Sequence, residues 1–326
     1  MALSYGITSV RDAGSGSTTI NQMKDLYSSG DLKIRVYQMV SSDSASEYYN
    51  QPVEERTNLY NDRYNISSLK LMADGSLGAR SAWMLEDYSD QPGHTGDPRM
   101  TDEEAYTLVK EAAEAGFQVN THCIGDAANH QILNAYEKVI NELGLKDHRF
   151  AIEHSQVVAL EDIPRFAKLG VIPSMQFVHA TSDKNMAEDR VGPERIKGAY
   201  AWRKMIDSGS IIPNGTDAPV ELVNPYHGLY AAITRMDRDG EPAGGWYPDE
   251  CLTKEEALRA YTIWGAYAQF EENDIGSIES GKHADFVIID RDYMNCPDNE
   301  LKDINAQMTV IAGEVVYTAP GFSLNK

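Results

Sequence analysis

Cysteine is scarce in this sequence of 326 residues, which contains only Cys123, Cys251 and Cys296. The three residues are far apart and no CxxC pair occurs, which argues against a disulfide framework and against a thiolate zinc site. Residues 1–10 also lack the basic stretch, apolar core and cleavage site of a signal peptide. We therefore expect a protein of the reducing cytoplasm.

Long apolar runs and positive charge are lacking as well. No apolar stretch approaches the length of a membrane span. Fifty acidic residues against 29 basic ones give a formal charge of −21, which repels nucleic acid and anionic membrane surfaces. We expect a small-molecule substrate, no nucleic-acid partner and no membrane partner, while a homo-oligomer is compatible with this composition.

What the sequence does contain is a regular alternation of short apolar runs with amphipathic stretches, which is typical of repeated βα units around a parallel sheet. Helices are expected at residues 101–115, 129–143, 160–169, 196–208 and 253–269, and Thr101 and Thr253 each precede a glutamate by three residues, as in a capping box. Strands are expected at residues 7–11, 34–40, 68–72, 117–122, 150–154, 171–176 and 211–216.

These seven strands lie within the first 217 residues, whereas a (β/α)₈ barrel has eight strands in about 250 residues. We therefore predict an α/β fold, a TIM-type (β/α)₈ barrel over residues 1–272 that lacks strand one at its N-terminal side. Short β runs such as FVIID and VIAGEVVY follow between Gly and Asp turns. Residues 273–326 are expected to form the C-terminal part of a small β-sandwich.

Enzymes with this barrel carry their working side chains at the carboxyl ends of the strands. Lys70, His122, His154 and Asp217 all lie at or next to the predicted strand ends. Alternation along 117–122 puts Gln118, Asn120 and His122 on one face, a polar layer that a packed barrel interior would not favour.

Two neutral imidazoles and a carboxylate suit a divalent ion such as zinc, with an open position for water. Asp217 could accept the proton of that water and pass it on. Each residue alone has a structural interpretation, since a histidine can be satisfied by backbone partners, an aspartate can cap a turn and a lysine can lie on a solvated edge. The four residues together favour a metal centre.

Several motifs resemble one family of enzymes. The sequence is similar to the amidohydrolase superfamily, in particular amidohydrolase family 3, the YtcJ-like metal-dependent hydrolases. The matching stretches include GITSVRDAG, LKLMADGSLGARSA, THCIGDAANHQILNAYE, RFAIEHSQVV, NGTDAPVELVNPYHGLYAAITR and GSIESGKHADFVIID.

The resemblance implies hydrolysis of a C–N bond by an enzyme that binds one or two divalent metal ions, zinc in the first place. It maps a lysine that is often carboxylated to Lys70, and the further ligands to His122, His154 and Asp217. His179 matches a position often occupied by histidine and is a candidate substrate contact, as are Arg80 and His94 in the loops after the Lys70 strand.

One family motif is absent. Members resembling this chain carry an HxH pair at the end of strand one, and no HxH occurs in the sequence. We therefore expect Lys70, His122 and His154 to hold at most one ion, and the activity of this chain alone is open.

Two alternatives compete with the hydrolase. One is a non-catalytic barrel, either a fragment or a pseudoenzyme, that binds a small molecule or a partner chain supplying the missing strand. The other is an enzyme that uses Lys70 as a Schiff-base amine, although that chemistry does not demand two strand-end histidines.

Overall fold

The computed structural model describes residues 1–324, so the last two residues of the predicted C-terminal unit lie outside the described part. Its main feature is a six-stranded parallel sheet in which the strands follow one another in chain order. The strands are β1 (Ser9–Ser15), β2 (Arg35–Ser41), β3 (Tyr64–Met72), β4 (Gln118–Cys123), β5 (Ala151–His154) and β6 (Ile172–Ser174).

Helices fill the connections, as the βα pattern predicts. They are α1 (Ser17–Ser29), α2 (Ser46–Tyr49), α3 (Leu59–Asp62), α4 (Asp102–Glu114), α5 (Asp126–Leu143), α6 (Ile163–Leu169), α7 (Phe177–Asp183), α8 (Ala187–Arg195), α9 (Trp202–Asp207), α10 (Pro225–Thr234), α11 (Lys254–Tyr261) and α12 (Ile263–Ala268). Short 3-10 helices span Ala2–Tyr5, Val53–Glu55, Ile196–Gly198, Pro248–Glu250 and Asp298–Asp303.

The sheet is curled, and the curl resembles part of a barrel. Arg11 on β1 reaches across the concave face to Asn120 on β4 and forms an ion pair with Glu153 on β5, Nη1 to Oε1 3.4 Å. On the convex face Tyr136 of α5 donates to the Ala151 carbonyl at 3.0 Å, which joins the helical layer to the sheet. The architecture is consistent with a partial TIM barrel. A missing strand one stays a prediction.

The prediction of a regular strand at residues 211–216 is wrong. Only a single parallel bridge, between Met175 and Asn214, lies at this position. Pro213 has no N–H to donate to a ladder, and the Asn214 N–H donates instead to the Ala260 carbonyl at 3.0 Å. The segment therefore lies beside β6 without extending the sheet as a strand.

Two predicted helices are interrupted because a residue that is distant in sequence binds one of their backbone N–H or C=O groups. The Ala260 carbonyl that accepts from Asn214 is withdrawn from the helical ladder, and the predicted helix 253–269 divides at Thr262 into α11 and α12. In 196–208 the Tyr200 N–H donates to the Gln156 carbonyl at 2.8 Å, which separates a 3-10 turn from α9. Both predicted capping boxes, at Thr101 and Thr253, are confirmed.

The C-terminal β region is a separate antiparallel sheet, as the short β runs predicted. Its strands are β7 (Phe286–Ile289), β8 (Ala306–Ile311) and β9 (Glu314–Thr318), paired in that order. A buried ion pair ties this sheet to β2: Arg35 binds Asp285 through Nε at 2.6 Å and Nη2 at 3.1 Å. Asp285 also accepts the Ala312 N–H at 2.7 Å. Two side chains that are each 3% exposed thus join the two sheets.

The three cysteines are free. Among residues 1–324, no helix combines the length and the apolar character that a bilayer crossing requires.

Replacing Asp285 with alanine should destabilise the protein by about 3–5 kcal/mol, because the change leaves the buried Arg35 guanidinium without its counter-charge. Urea unfolding measures the difference. The matched control is Glu314→Ala, which breaks exposed contacts from β9 to Lys33 and Arg63 and should cost less than about 1 kcal/mol. Equal effects of the two variants would contradict the assigned role of the buried pair.

Candidate metal centre

The strand-end residues converge at the carboxyl ends of three adjacent strands. Lys70 on β3 is in register with Asn120 on β4, and His122 lies two residues further along β4. Cys123 of β4 is the register partner of His154 on β5. Gln118, Asn120 and His122 share the concave face, as their alternation predicts, while Leu69, Leu71 and Val119 pack in the hydrophobic core.

The rings of His122 and His154 lie edge to face with centroids 4.5 Å apart. His122 Nε2 is 3.0 Å from the Gly75 carbonyl, and His154 Nδ1 is 2.7 Å from Oε1 of Gln176. Because both acceptors are oxygens, these nitrogens carry the protons in the neutral rings. The lone pairs are then on His122 Nδ1 and His154 Nε2, which form no hydrogen bond with any residue of the described range.

Burial shifts the pKa of each of these groups in the direction that favours its neutral form. Desolvation lowers the pKa of His122 to about 4, against the opposing effect of the Gly75 hydrogen bond. Desolvation, reinforced by the charges of His122 and Lys70, also lowers the pKa of His154 well below its ordinary value. The pKa of Lys70 is lowered by burial, although Glu153 and Asp217 oppose the shift. Neutral imidazoles beside a weakly basic amine are suitable donors for a borderline cation.

The backbone at His154 is unusual. Strict alternation would point His154 away from the concave face, since its neighbour Glu153 points inward to Arg11. His154 instead has φ +76°, in the left-handed region that costs a non-glycine residue of order 1–3 kcal/mol. This turn at the end of β5 brings its ring to that of His122. Asp217, with φ +55°, is in the left-handed region as well.

His179 and Asp217 complete the group. His179 is on α7, its ring stacks on that of His154 with centroids 5.9 Å apart, and its Nε2 is buried without a hydrogen-bond partner among residues 1–324. Burial raises the pKa of Asp217, while nearby His179 and Lys70 act in the opposite direction. All four proposed metal-site residues and His179 are therefore gathered in one region.

Arg80 and His94 are engaged within the loop after β3. Arg80 binds Asp90 through Nε at 3.0 Å and Nη2 at 2.7 Å. His94 stacks on Tyr88, and its Nε2 contacts the Arg80 carbonyl at 2.7 Å. These contacts order the loop, and a role in substrate binding stays a prediction.

Asp74 is a supporting residue that the sequence reasoning missed. Its fully buried carboxylate accepts backbone N–H groups from Ile124 at 3.0 Å, Gly125 at 2.8 Å and Trp83 at 3.0 Å. One oxygen is also 3.4 Å from His122 Nε2. The carboxylate thus faces the N-terminus of α5, where it interacts favourably with the helix dipole, and it holds two loops around His122. The sequence signal that could have identified Asp74 is its position directly after β3.

The Arg11–Glu153 pair was also missed. It lies on the concave face near Lys70, and Glu153 is the register partner of His122. Arg11 Nε and Glu153 Oε1 form no hydrogen bond in the described range. The Arg11–Glu153 pair therefore places buried charges next to the proposed metal donors. Among residues 1–324, no three side chains of His, Cys, Asp or Glu are grouped so as to hold a metal, so a site here depends on Lys70.

Known proteins share this sequence pattern and this fold. The amidohydrolase family matches residues 2–317, and the chain belongs to that family. Protein LONG AFTER FAR-RED 3 of Arabidopsis thaliana is 33% identical over 329 residues, which covers 97% of this chain and 55% of that protein. The putative amidohydrolase YtcJ of Bacillus subtilis (strain 168) is 34% identical over 252 residues, covering 77% of this chain and 47% of that protein.

A solved structure supports the same assignment. The crystal structure of an uncharacterized metal-dependent hydrolase from Pyrococcus furiosus matches with a TM-score of 0.78 and 30% identity, over 90% of this chain and 58% of that one. The chain thus spans about half the length of the two curated relatives. The family match and the structural likeness therefore agree in relating this chain to amidohydrolases and metal-dependent hydrolases.

Replacing Asp74 with asparagine should destabilise the protein by about 2–4 kcal/mol, because an amide NH₂ would then face backbone N–H donors and leave more than one buried donor unpaired. Thermal and urea unfolding test this expectation. Asp87→Asn is the control, since exposed Asp87 accepts a single N–H, from Gly93 at 2.6 Å, and an asparagine oxygen can replace it. A loss for Asp74→Asn no larger than for the control would show that the three N–H contacts contribute little.

Proposed function

We propose that the site hydrolyses an amide or related C–N bond of a small molecule with the help of a divalent metal ion, zinc in the first place. The observation that carries the proposal is the His122–His154 pair. Burial keeps both rings neutral, each ring is oriented through one nitrogen, and the other nitrogen of each has no hydrogen-bond partner among residues 1–324. Such outer hydrogen bonds are typical of histidines that bind metals.

The residues fit such an ion by the chemistry of their donors. His122 Nδ1 and His154 Nε2 would hold it together with Lys70. When bound, the ion would acidify a water molecule and polarise the carbonyl of the substrate. The two curated relatives are longer than this chain. The activity of a full-length relative is therefore not assigned to this chain.

Lys70 would take part as a carbamate. Burial lowers its pKa, which increases the share of neutral amine at physiological pH. The neutral Nζ can attack carbon dioxide, forming an N–C bond and releasing one proton, and the product offers anionic oxygen donors. The same neutral amine could form a Schiff base, but the two adjacent histidines favour the metal.

Asp217 and His179 would act on protons and on the substrate. Asp217 is the proposed general base, which takes a proton on a carboxylate oxygen and delivers it to the leaving amine. Its raised pKa suits that task, because a base is most effective when its pKa is closer to the working pH. The unpartnered Nε2 of His179 would hydrogen-bond the substrate.

Metal titration tests the centre directly. The absence of HxH from the sequence predicts one ion per chain, measured by elemental analysis after dialysis and by the visible absorption of bound cobalt(II). His122→Asn and His154→Asn should each weaken cobalt binding by roughly 100-fold or more, beyond the 10–100-fold cost of losing an outer partner.

The matched control for that titration is His283→Asn. His283 is a partly exposed histidine whose Nε2 lies 3.9 Å from a carboxylate oxygen of Asp62, and its loss should leave cobalt binding unchanged. Two tightly held ions per chain would contradict the single-ion expectation. Equal binding by the His122 and His283 variants would contradict the assigned ligands.

Activity provides a separate test. Metal-loaded protein is assayed against N-acyl amino acids, cyclic amides and carbamates with added zinc or manganese. Asp217→Asn should lower kcat by roughly 10²–10⁴-fold, the usual contribution of a general base, while the ion held by Lys70, His122 and His154 is retained.

The control for the activity assay is Asp207→Asn, which affects only a solvated pair with Arg203 and should leave kcat unchanged. A full kcat in Asp217→Asn would exclude the residue as the base. Hydrolysis of none of these substrates by protein that binds its ion would favour the non-catalytic barrel.

A further inference from the structure

A cavity lies at the opposite end of the strands from the histidines. It has a volume of about 620 Å³ and is lined by residues from the amino ends of β2 to β4, including Tyr37, Asn65 and Gln118. Gln118 and His122 are four residues apart on β4, which corresponds to about 13 Å. The cavity is therefore distinct from the proposed metal centre, and nothing in the proposed hydrolysis uses it.

Glu271, in the wall of this cavity, is a carboxylate without an ion-pair partner among residues 1–324. Asn65 Nδ2 donates to Oε1 at 2.6 Å and Gln269 Nε2 donates to Oε2 at 2.7 Å. These are neutral amide donors, and Glu271 forms no ion pair with any residue of the described range 1–324. Burial raises the pKa of Glu271 to about 7, although the two amide donors and the charge of Arg35 oppose the shift.

Tyr37 supplies the second, independent observation. The side chain is 4% exposed and lines the cavity, and its hydroxyl has no hydrogen-bond partner among residues 1–324. Buried tyrosine hydroxyls usually find a partner. A hydroxyl of a cavity-lining side chain that has no hydrogen-bond partner in the described range is available to a ligand.

The remaining walls define the character of that ligand. Phe117, Phe150 and Phe270 supply apolar surface, and the lining contains neither lysine nor arginine. Of the two other acidic residues there, Asp147 is already bound by Arg149 at 2.8 Å, while Asp274 is exposed. Arg56 and Arg149 are not among the lining residues, but they stack on the rings of Phe117 and Phe270, each at 4.4 Å. The lining itself is aromatic and acidic, with one carboxylate and one hydroxyl available.

We propose that this cavity binds a small organic cation, with its ammonium group at Glu271, within reach of the Tyr37 hydroxyl, and its apolar body against the phenylalanine rings. The ammonium would form an ion pair with Glu271 through a charge-assisted hydrogen bond. Its further N–H groups could use the Tyr37 oxygen as an acceptor. The apolar part of the ligand would leave water for the aromatic walls.

Calorimetric titration of the full chain at pH 8, where Glu271 is ionised, tests the proposal with benzylammonium chloride as the probe. Benzyl alcohol is the neutral probe of matched shape and sodium benzoate the anionic one. We expect benzylammonium to bind at least about tenfold more tightly than either, a difference of about 1.4 kcal/mol. Equal binding of the charged and neutral probes to the wild-type chain overturns the proposal without any variant.

Variants then locate the binding. Glu271→Gln keeps the shape and removes the charge, so it should abolish the preference for benzylammonium over benzyl alcohol, and Tyr37→Phe should weaken benzylammonium binding several-fold. His154→Asn, at the other end of β5, should leave benzylammonium binding unchanged while it loses cobalt. Loss of benzylammonium binding in His154→Asn but not in Glu271→Gln would assign the probe to the metal centre and overturn the proposal.

Discussion

The arrangement of this molecule depends on a charged pair that is buried inside a curled sheet. Removing an ion from water costs several kcal/mol, so Arg11 and Glu153 can lie on the concave face only because they compensate each other across it. Arg11 comes from the first strand and Glu153 from the fifth, and their contact brings distant parts of the sheet together. The same pair keeps charge close to Lys70, and Glu153 is the register partner of His122.

The candidate metal centre is held by hydrogen bonds that engage one nitrogen of each histidine, while the other nitrogen has no partner among residues 1–324. The Gly75 carbonyl and Gln176 each engage one nitrogen of His122 or His154, which decides the tautomer of each ring. Asp74 connects three backbone N–H groups around the same place. The backbone strain at His154 is offset by this surrounding structure, a pattern that is common at functional sites.

The polar face of β4 was predictable because side chains alternate along a strand. Lys70, His122 and His154 were located by a different rule, since enzymes with this barrel carry their working side chains at the carboxyl ends of strands. The failures have one physical cause. At Asn214 and at Tyr200, backbone N–H groups bind carbonyls that are distant in sequence, and this competition ended a strand and divided two helices. Local propensity carries no information about such partners.

By itself, the sequence determined the repeated βα units, the family and the residue types at the strand ends, because periodicity and motifs are local properties. Only the tertiary structure decided that the ring of His154 lies against that of His122. It also decided that Asp74 lies beside His122 and that Arg11 pairs with Glu153. It also decided that Glu271 and Tyr37 share a cavity. These relations join residues far apart in the chain, and they exist only after the sheet has curled and the loops have packed against it.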